Sequence, residues 1–149
     1  MALIKSISGI RGTIGGKTGD NLTPLDVVKF TAAYGTLLKK KKGSTKVVIG
    51  RDARLSGEMV SALVSSTLQS LGIHVIDLGL STTPTVEIAV PLEKASGGII
   101  LTASHNPVQW NALKLLNERG EFISAAEGEE ILTLAANEDF EFAQVTKLG

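Results

Sequence analysis

Cysteine is absent from the sequence, which excludes disulfides, thiolate catalysis and cysteine-ligated metals. Histidine is scarce: His74 and His105 are the only two, too few for a histidine-rich metal site. Neither sign of charge prevails. Fifteen basic and fifteen acidic residues cancel, so no net field points to nucleic acid or to an anionic membrane surface. No run reaches the roughly 18–20 apolar residues of a membrane-spanning helix, and Met1 to Ile10 lacks the basic-then-apolar pattern of an export signal. The expected setting is the cytoplasm, without membrane or nucleic acid as a partner.

What is present suffices for a core. The 149 residues are 43% hydrophobic, which suits a single domain over 1–149. Thr23-Pro24 reads as an N-cap followed by proline at the first helical position, opening a helix to about Lys40. The basic run Lys39 to Lys42 then complements the helix dipole before Gly43 ends it. Lys46–Gly50 is a β-branched run typical of a buried strand. Ser56 is expected to cap a helix from Gly57 to about Leu71, with Gly72 as its stop. Ile73–Leu78 reads as a second strand, and Thr83-Pro84 starts a shorter helix through about Leu92. Gly97–Thr102 is a third strand, almost wholly apolar, as a central strand requires. Leu113–Asn117 reads as a further strand, Arg119-Gly120 as a turn, and Ser124-Ala125-Ala126-Glu127 as a capping box for a last helix to about Ala136. This alternation predicts an α/β layered domain with a mainly parallel mixed sheet flanked by helices. In such sheets ligands gather beyond the carboxyl ends of the strands. The segments after Ile49 and Leu101 emerge there.

The second of these segments, Thr102-Ala103-Ser104-His105-Asn106-Pro107, presents a serine hydroxyl at the end of an apolar strand, with Pro107 fixing the backbone beyond it. A hydroxyl is a poor nucleophile unless a base, a metal or strong electrostatics assists it. His105 adjoins Ser104, but neighbours on an extended loop point apart, which weighs against a Ser-His hydrolase, and the Gly-x-Ser-x-Gly elbow is missing. From the residues alone, a catalytic serine and a loop whose side chains merely satisfy the backbone stand side by side.

The hexapeptide, followed by Asn111 and Lys114, resembles the phosphoserine loop of the α-D-phosphohexomutases, the family of phosphoglucomutase, phosphomannomutase and phosphoglucosamine mutase. The resemblance implies that Ser104 carries a phosphoryl group, that a phosphate oxygen on Ser104 helps hold Mg²⁺, and that the group passes to a hexose 1- or 6-phosphate through a hexose 1,6-bisphosphate. Ser8-Gly9-Ile10-Arg11-Gly12 is similar to the family's N-terminal signature. There an arginine reaches the active-site phosphate, a task that suits the planar fork of Arg11. Lys5-Ser6-Ile7 stands where the family has an aromatic-glycine-threonine lead-in. Lys114 matches a lysine near the transferring phosphate, able to neutralise phosphoryl charge or, with a depressed pKa, to act as base. Asn106 and His105 are implied as near-site residues, Asn106 toward phosphate. Asn111-Ala112 stands where the family has Asn-Gly; a positive φ at Ala112 would cost on the order of 1 kcal/mol. Trp110 reads as loop packing.

Gly50-Arg51-Asp52-Ala53-Arg54-Leu55-Ser56-Gly57 and Ser81-Thr82-Thr83-Pro84-Thr85 also resemble family segments. The first reads as a local Asp52–Arg54 pair or cap with Ser56 as N-cap, the second as helix initiation. The resemblance extends over nearly the whole chain but only to the first of four family domains. The Asp-Gly-Asp-x-Asp-Arg metal loop and the later sugar- and phosphate-binding loops do not occur. The sequence thus implies a domain that needs the remaining domains of the same enzyme to act on a hexose phosphate. A stand-alone sugar-phosphate binding or regulatory module without turnover is the alternative.

Overall fold

The computed structural model describes residues 2–6, 9–41 and 45–149. In chain order it contains β1 (Leu3–Ser6), β2 (Gly9–Thr13), α1 (Pro24–Lys40), β3 (Lys46–Arg51), α2 (Gly57–Ser70), β4 (His74–Leu80), α3 (Thr83–Leu92), β5 (Gly97–Leu101), β6 (Trp110–Leu116) and α4 (Ala125–Asn137), then a short 3-10 turn at Val145–Lys147. The strands form one sheet in the order β1-β2-β6-β5-β3-β4. Parallel pairing joins β3 to β4 and β5, while β5–β6, β6–β2 and β2–β1 are antiparallel. Followed across the sheet, β2, β3, β4 and β5 run one way and β1 and β6 the other. The α/β class stands and the sheet is mixed. Its parallel share falls short of the expected pattern because a hairpin, β1 and β2, adds antiparallel pairing at one edge. Neither strand was expected. β2 reads Gly-Ile-Arg-Gly-Thr and β1 is largely exposed, so neither carries an alternating apolar pattern.

Strand alternation divides the core into two layers. Val47, Ile49, Ile99, Leu101, Leu113 and Leu115 pack with α1, α2 and α4. Val48, Ile100 and Leu116 pack with Val86, Ala89 and Val90 of α3 on the other face. By the same alternation Lys114 stands on the α3 face.

β5 is buried at all five positions, and Tyr34 of α1 crosses its start. The fully buried Tyr34 hydroxyl donates toward the Leu116 carbonyl (2.6 Å) and lies 3.2 Å from that of Gly98. Burial pushes this phenol far above its ordinary range, so it remains a donor.

The helix ends follow from local chemistry. α1 opens on Thr23 with a capping box closed by Asp26, which is fully buried and also accepts from Gly19 N–H (3.2 Å). Lys42 and Gly43, the expected end of this helix, lie outside the described residues. Lys40 pairs with Glu130 (3.7 Å), and Lys41 with Glu118 (3.8 Å) and Glu127, so the basic run braces α4. Ser56 departs from expectation: its side chain makes no cap bond, and its Oγ accepts from Asn111 Nδ2 (2.8 Å) instead.

α4 carries the expected box, Ser124 with Glu127. Burial pushes the Glu127 carboxyl up, but the Lys41 ammonium and the Ser124 N–H and hydroxyl outweigh it and hold it below its ordinary value. A carboxyl so held contributes stability that is full above the unfolded value, roughly pH 4.3, and lost as pH falls through the folded one. Glu127→Gln is therefore expected to be less stable than wild type at neutral pH and to converge with it in acid. Urea unfolding at stepped pH measures this; curves separated by a constant amount at every pH would contradict it.

Candidate active site at the carboxyl ends of β3 and β5

Because β3 and β5 are parallel neighbours, the loops that leave their carboxyl ends lie side by side. Asp52 N–H donates to the Leu101 carbonyl (3.1 Å) and ties the two strand ends together. Asp52 Oδ2 then accepts from the Thr102 hydroxyl (2.5 Å), and Thr102 Oγ1 accepts from Ser104 N–H (3.1 Å). Asp52 Oδ1 accepts from Arg54 N–H (3.2 Å).

Ser104 is exposed at the top of this relay. Its φ of 52° lies in the left-handed region, which costs a non-glycine residue on the order of 1–2 kcal/mol. Arg54 holds the loop in that shape. Its Nη1 donates to the carbonyls of Pro107 (2.7 Å) and Trp110 (3.0 Å), and its Nη2 to those of Ser104 (2.9 Å) and Asn106 (2.8 Å). Nε lies 3.4 Å from Asp52 Oδ2, an ion-pair approach without hydrogen-bond alignment. The Arg54 side chain is 11% exposed. The expected Asp52–Arg54 pair is thus present, but the sequence reading missed what else Arg54 does. Only the adjacency of β3 and β5, which local pattern does not encode, brings it to the serine loop.

Lys114 is brought to Ser104: Nζ donates to Oγ at 2.8 Å. In register, Lys114 lies opposite Ile100 on β5 and Gly9 on β2, and Arg11 lies opposite Ala112. Directly opposed residues share a face, so Arg11 and Lys114 both stand on the α3 side. They line a cleft of about 110 Å³ with Ser6, Gly9 and Ala112. The glycines beside Arg11 allow this close pairing. A Cβ at Gly9 would sit 2.1 Å from the Leu113 carbonyl oxygen, and one at Gly12 would sit 2.6 Å from that of Ala2. Ser8 and Ile7 lie outside the described residues.

Trp110 opens β6 rather than standing in a loop, and the Arg11 guanidinium carbon lies 6.0 Å from its ring centroid, within cation–π range. Ala112 is a buried strand residue without positive φ, so the strain considered for it does not arise. The strand begins three residues earlier than expected because β2, unread in the sequence, pairs with it. Asn111 is fully buried and spends its side chain on Ser56 Oγ and on Ala112 N–H (2.8 Å each). His105 is exposed beside Ser104, with no hydrogen bond joining the two side chains. Asn106 is half-buried; its N–H donates to Ala103 O (3.0 Å) while Arg54 holds its carbonyl.

An ammonium on an exposed serine oxygen, with a guanidinium on the same sheet face, is a setting for anionic ligands. The model for "Phosphoglucomutase/phosphomannomutase, alpha/beta/alpha domain I" matches residues 3–142. A phosphoglucomutase/phosphomannomutase of Thermococcus kodakarensis is 38% identical over 141 residues, covering 93% of this chain and 31% of the relative. A phosphoglucosamine mutase of Shouchella clausii is 38% identical over 131 residues, covering 88% and 28%. The crystal structure of a phosphoglucomutase/phosphomannomutase family protein from Burkholderia thailandensis has a TM-score of 0.81 at 26% identity, covering 95% of this chain and 31% of that one. The chain spans about three-tenths of the length of these relatives. Over that span sequence and fold agree: the chain belongs to the phosphoglucomutase/phosphomannomutase family and corresponds to its α/β/α domain I.

Proposed function

We propose that this chain is the phosphoserine-bearing domain of a phosphohexomutase, which moves a phosphoryl group between the 1 and 6 positions of a hexose phosphate through a hexose 1,6-bisphosphate. The observation that carries the proposal is the exposed Ser104 Oγ at the carboxyl edge of the sheet, with Lys114 Nζ 2.8 Å away.

In the transfer, the bond from phosphorus to Ser104 Oγ breaks as one forms to a sugar hydroxyl oxygen. The leaving Oγ takes a proton from the Lys114 Nζ already bonded to it, and the proton of the sugar hydroxyl passes to a base in the remaining domains. The bisphosphate then turns over and returns its other phosphate to Ser104, and Lys114 regains its proton in that reverse step. Arg11 offers its fork to a phosphate at the cleft, and His105 and Asn106 flank the transferring group.

Mg²⁺ does not fit this chain alone. Among the described residues no three His, Asp or Glu side chains are grouped to hold a metal ion, and an octahedral oxygen set needs more than a serine phosphate. Its carboxylates belong to the remaining domains, and no step here runs through the ion. Without those domains the chain is inert. Among the described residues no helix is long and apolar enough to cross a membrane; a cytoplasmic setting is part of the proposal.

The test uses the protein of the whole reading frame that contains these residues. After incubation with radiolabelled hexose 1,6-bisphosphate, phosphate is expected on the peptide bearing Ser104, and the 149-residue chain alone is expected to take up none. Label on another residue would overturn the proposal. Binding of the bisphosphate with no labelling or turnover would leave a binding module in its place.

A further inference from the structure

We propose that Arg54 is a positioning residue for phosphoryl transfer, which sets the serine loop from behind without touching the substrate; this rests on the mutase reading above. All four Nη hydrogens are spent on the carbonyls of Ser104, Asn106, Pro107 and Trp110. Four carbonyl oxygens turned toward one point repel each other unless a cation with matching donors sits there. A guanidinium supplies that number in a fixed plane, whereas a lysine has three donors on a freely rotating head. Arg54 is itself fixed, its N–H on Asp52 and its Nε against the same carboxylate.

The consequence for Ser104 follows from peptide geometry. No described peptide bond is cis, and in a planar trans peptide the C=O and the following N–H point in opposite directions. With the Ser104 carbonyl drawn to Arg54, the His105 N–H is turned away from the guanidinium. Among the described residues no acceptor is paired with that N–H. The loop therefore keeps one backbone donor free, immediately after the serine, its aim set by Arg54. The same pull holds Ser104 at its left-handed φ, which directs Oγ to Lys114.

The role separates from plain stabilisation by kinetics and exchange together. In the protein of the whole reading frame, Arg54→Lys is expected to fold, keep KM within about 3-fold, and lose about 100-fold in kcat. Methylguanidinium is expected to restore part of the kcat of Arg54→Ala. In the 149-residue chain, hydrogen exchange over 103–109 should rise in either variant while β5 and β6 keep their protection. A folded variant with unchanged kcat would overturn the proposal, as would activity falling only with the folded fraction. Exchange that rises throughout the sheet would overturn it too. A wild-type protein that turns over no hexose phosphate would instead refute the mutase reading, and the exchange arm would still decide whether Arg54 clamps the loop.

Discussion

Ser104→Ala is expected to abolish turnover in the protein of the whole reading frame, with a loss of roughly 10³-fold or more, while the fold and sugar-phosphate binding persist. The side chain is exposed and its one hydrogen bond is to Lys114, so its removal takes nothing from the core. The N–H to Thr102 Oγ1 and the carbonyl to Arg54 are backbone bonds that alanine retains. What disappears is the oxygen proposed to carry the phosphoryl group between the two ends of the sugar. Alanine tolerates the left-handed φ of 52° no better than serine, so Ser104→Gly is the companion variant: it relieves the backbone and is expected to be equally inactive. Coupled assays for hexose 6-phosphate formation and calorimetric binding of the substrate read the two halves of the prediction. Residual turnover above about one-tenth of wild type in either variant would show that the oxygen is not the carrier.

Gly97→Ala is expected to destabilise the domain by about 4 kcal/mol or more, enough to leave it largely unfolded at 37 °C. The added Cβ would sit 2.1 Å from the Tyr34 hydroxyl and 2.7 Å from the Leu116 carbonyl oxygen. Those two atoms are bonded to each other at 2.6 Å. Neither can yield: one belongs to the β5–β6 ladder and the other to a side chain with no exposed surface. Displacing the hydroxyl also strands a buried donor and acceptor, each a penalty of about 1–3 kcal/mol. Urea or thermal unfolding followed by circular dichroism measures the loss. A midpoint within a degree or two of wild type, which corresponds to well under about 1 kcal/mol, would contradict the packing described at the start of β5. Tyr34→Phe combined with Gly97→Ala should recover part of the loss, because it removes the atom with the closest approach.

Much of the fold was written locally. The Thr23 and Ser124 caps fixed the starts of α1 and α4, because each hydroxyl binds a backbone N–H three residues on and needs nothing distant. The apolar run of β5 announced a central strand for the same reason. Ser104 and Lys114 were legible as candidates from the family motif, and the structure joins them because one lies in the loop that leaves β5 and the other in its neighbour β6. Three features escaped. β2 has a single large apolar side chain, since Gly9 and Gly12 are the price of its close approach to β6 and to residue 2. Ser56 looked like a cap but bonds Asn111 across the fold. Arg54 looked like half of a local ion pair, and its reach to residues 104–110 exists only because β3 lies next to β5. Each of these three involves a partner that lies far along the chain.

That remoteness has a consequence in time. β2 pairs on one side with β1, a few residues away, and on the other with β6, which includes Lys114 and is the last of the described strands to be made. During synthesis the first hairpin can form early, but one of its edges stays unpaired until most of the domain has been extruded. Non-local pairing of this kind bears its loop-closure cost before any return. Arg11 reaches its cleft only when β6 docks, and Lys114 arrives on that same strand. The site is therefore assembled in one late event, and a nascent chain stalled before Leu116 would present an open strand edge and no cleft between Arg11 and Lys114.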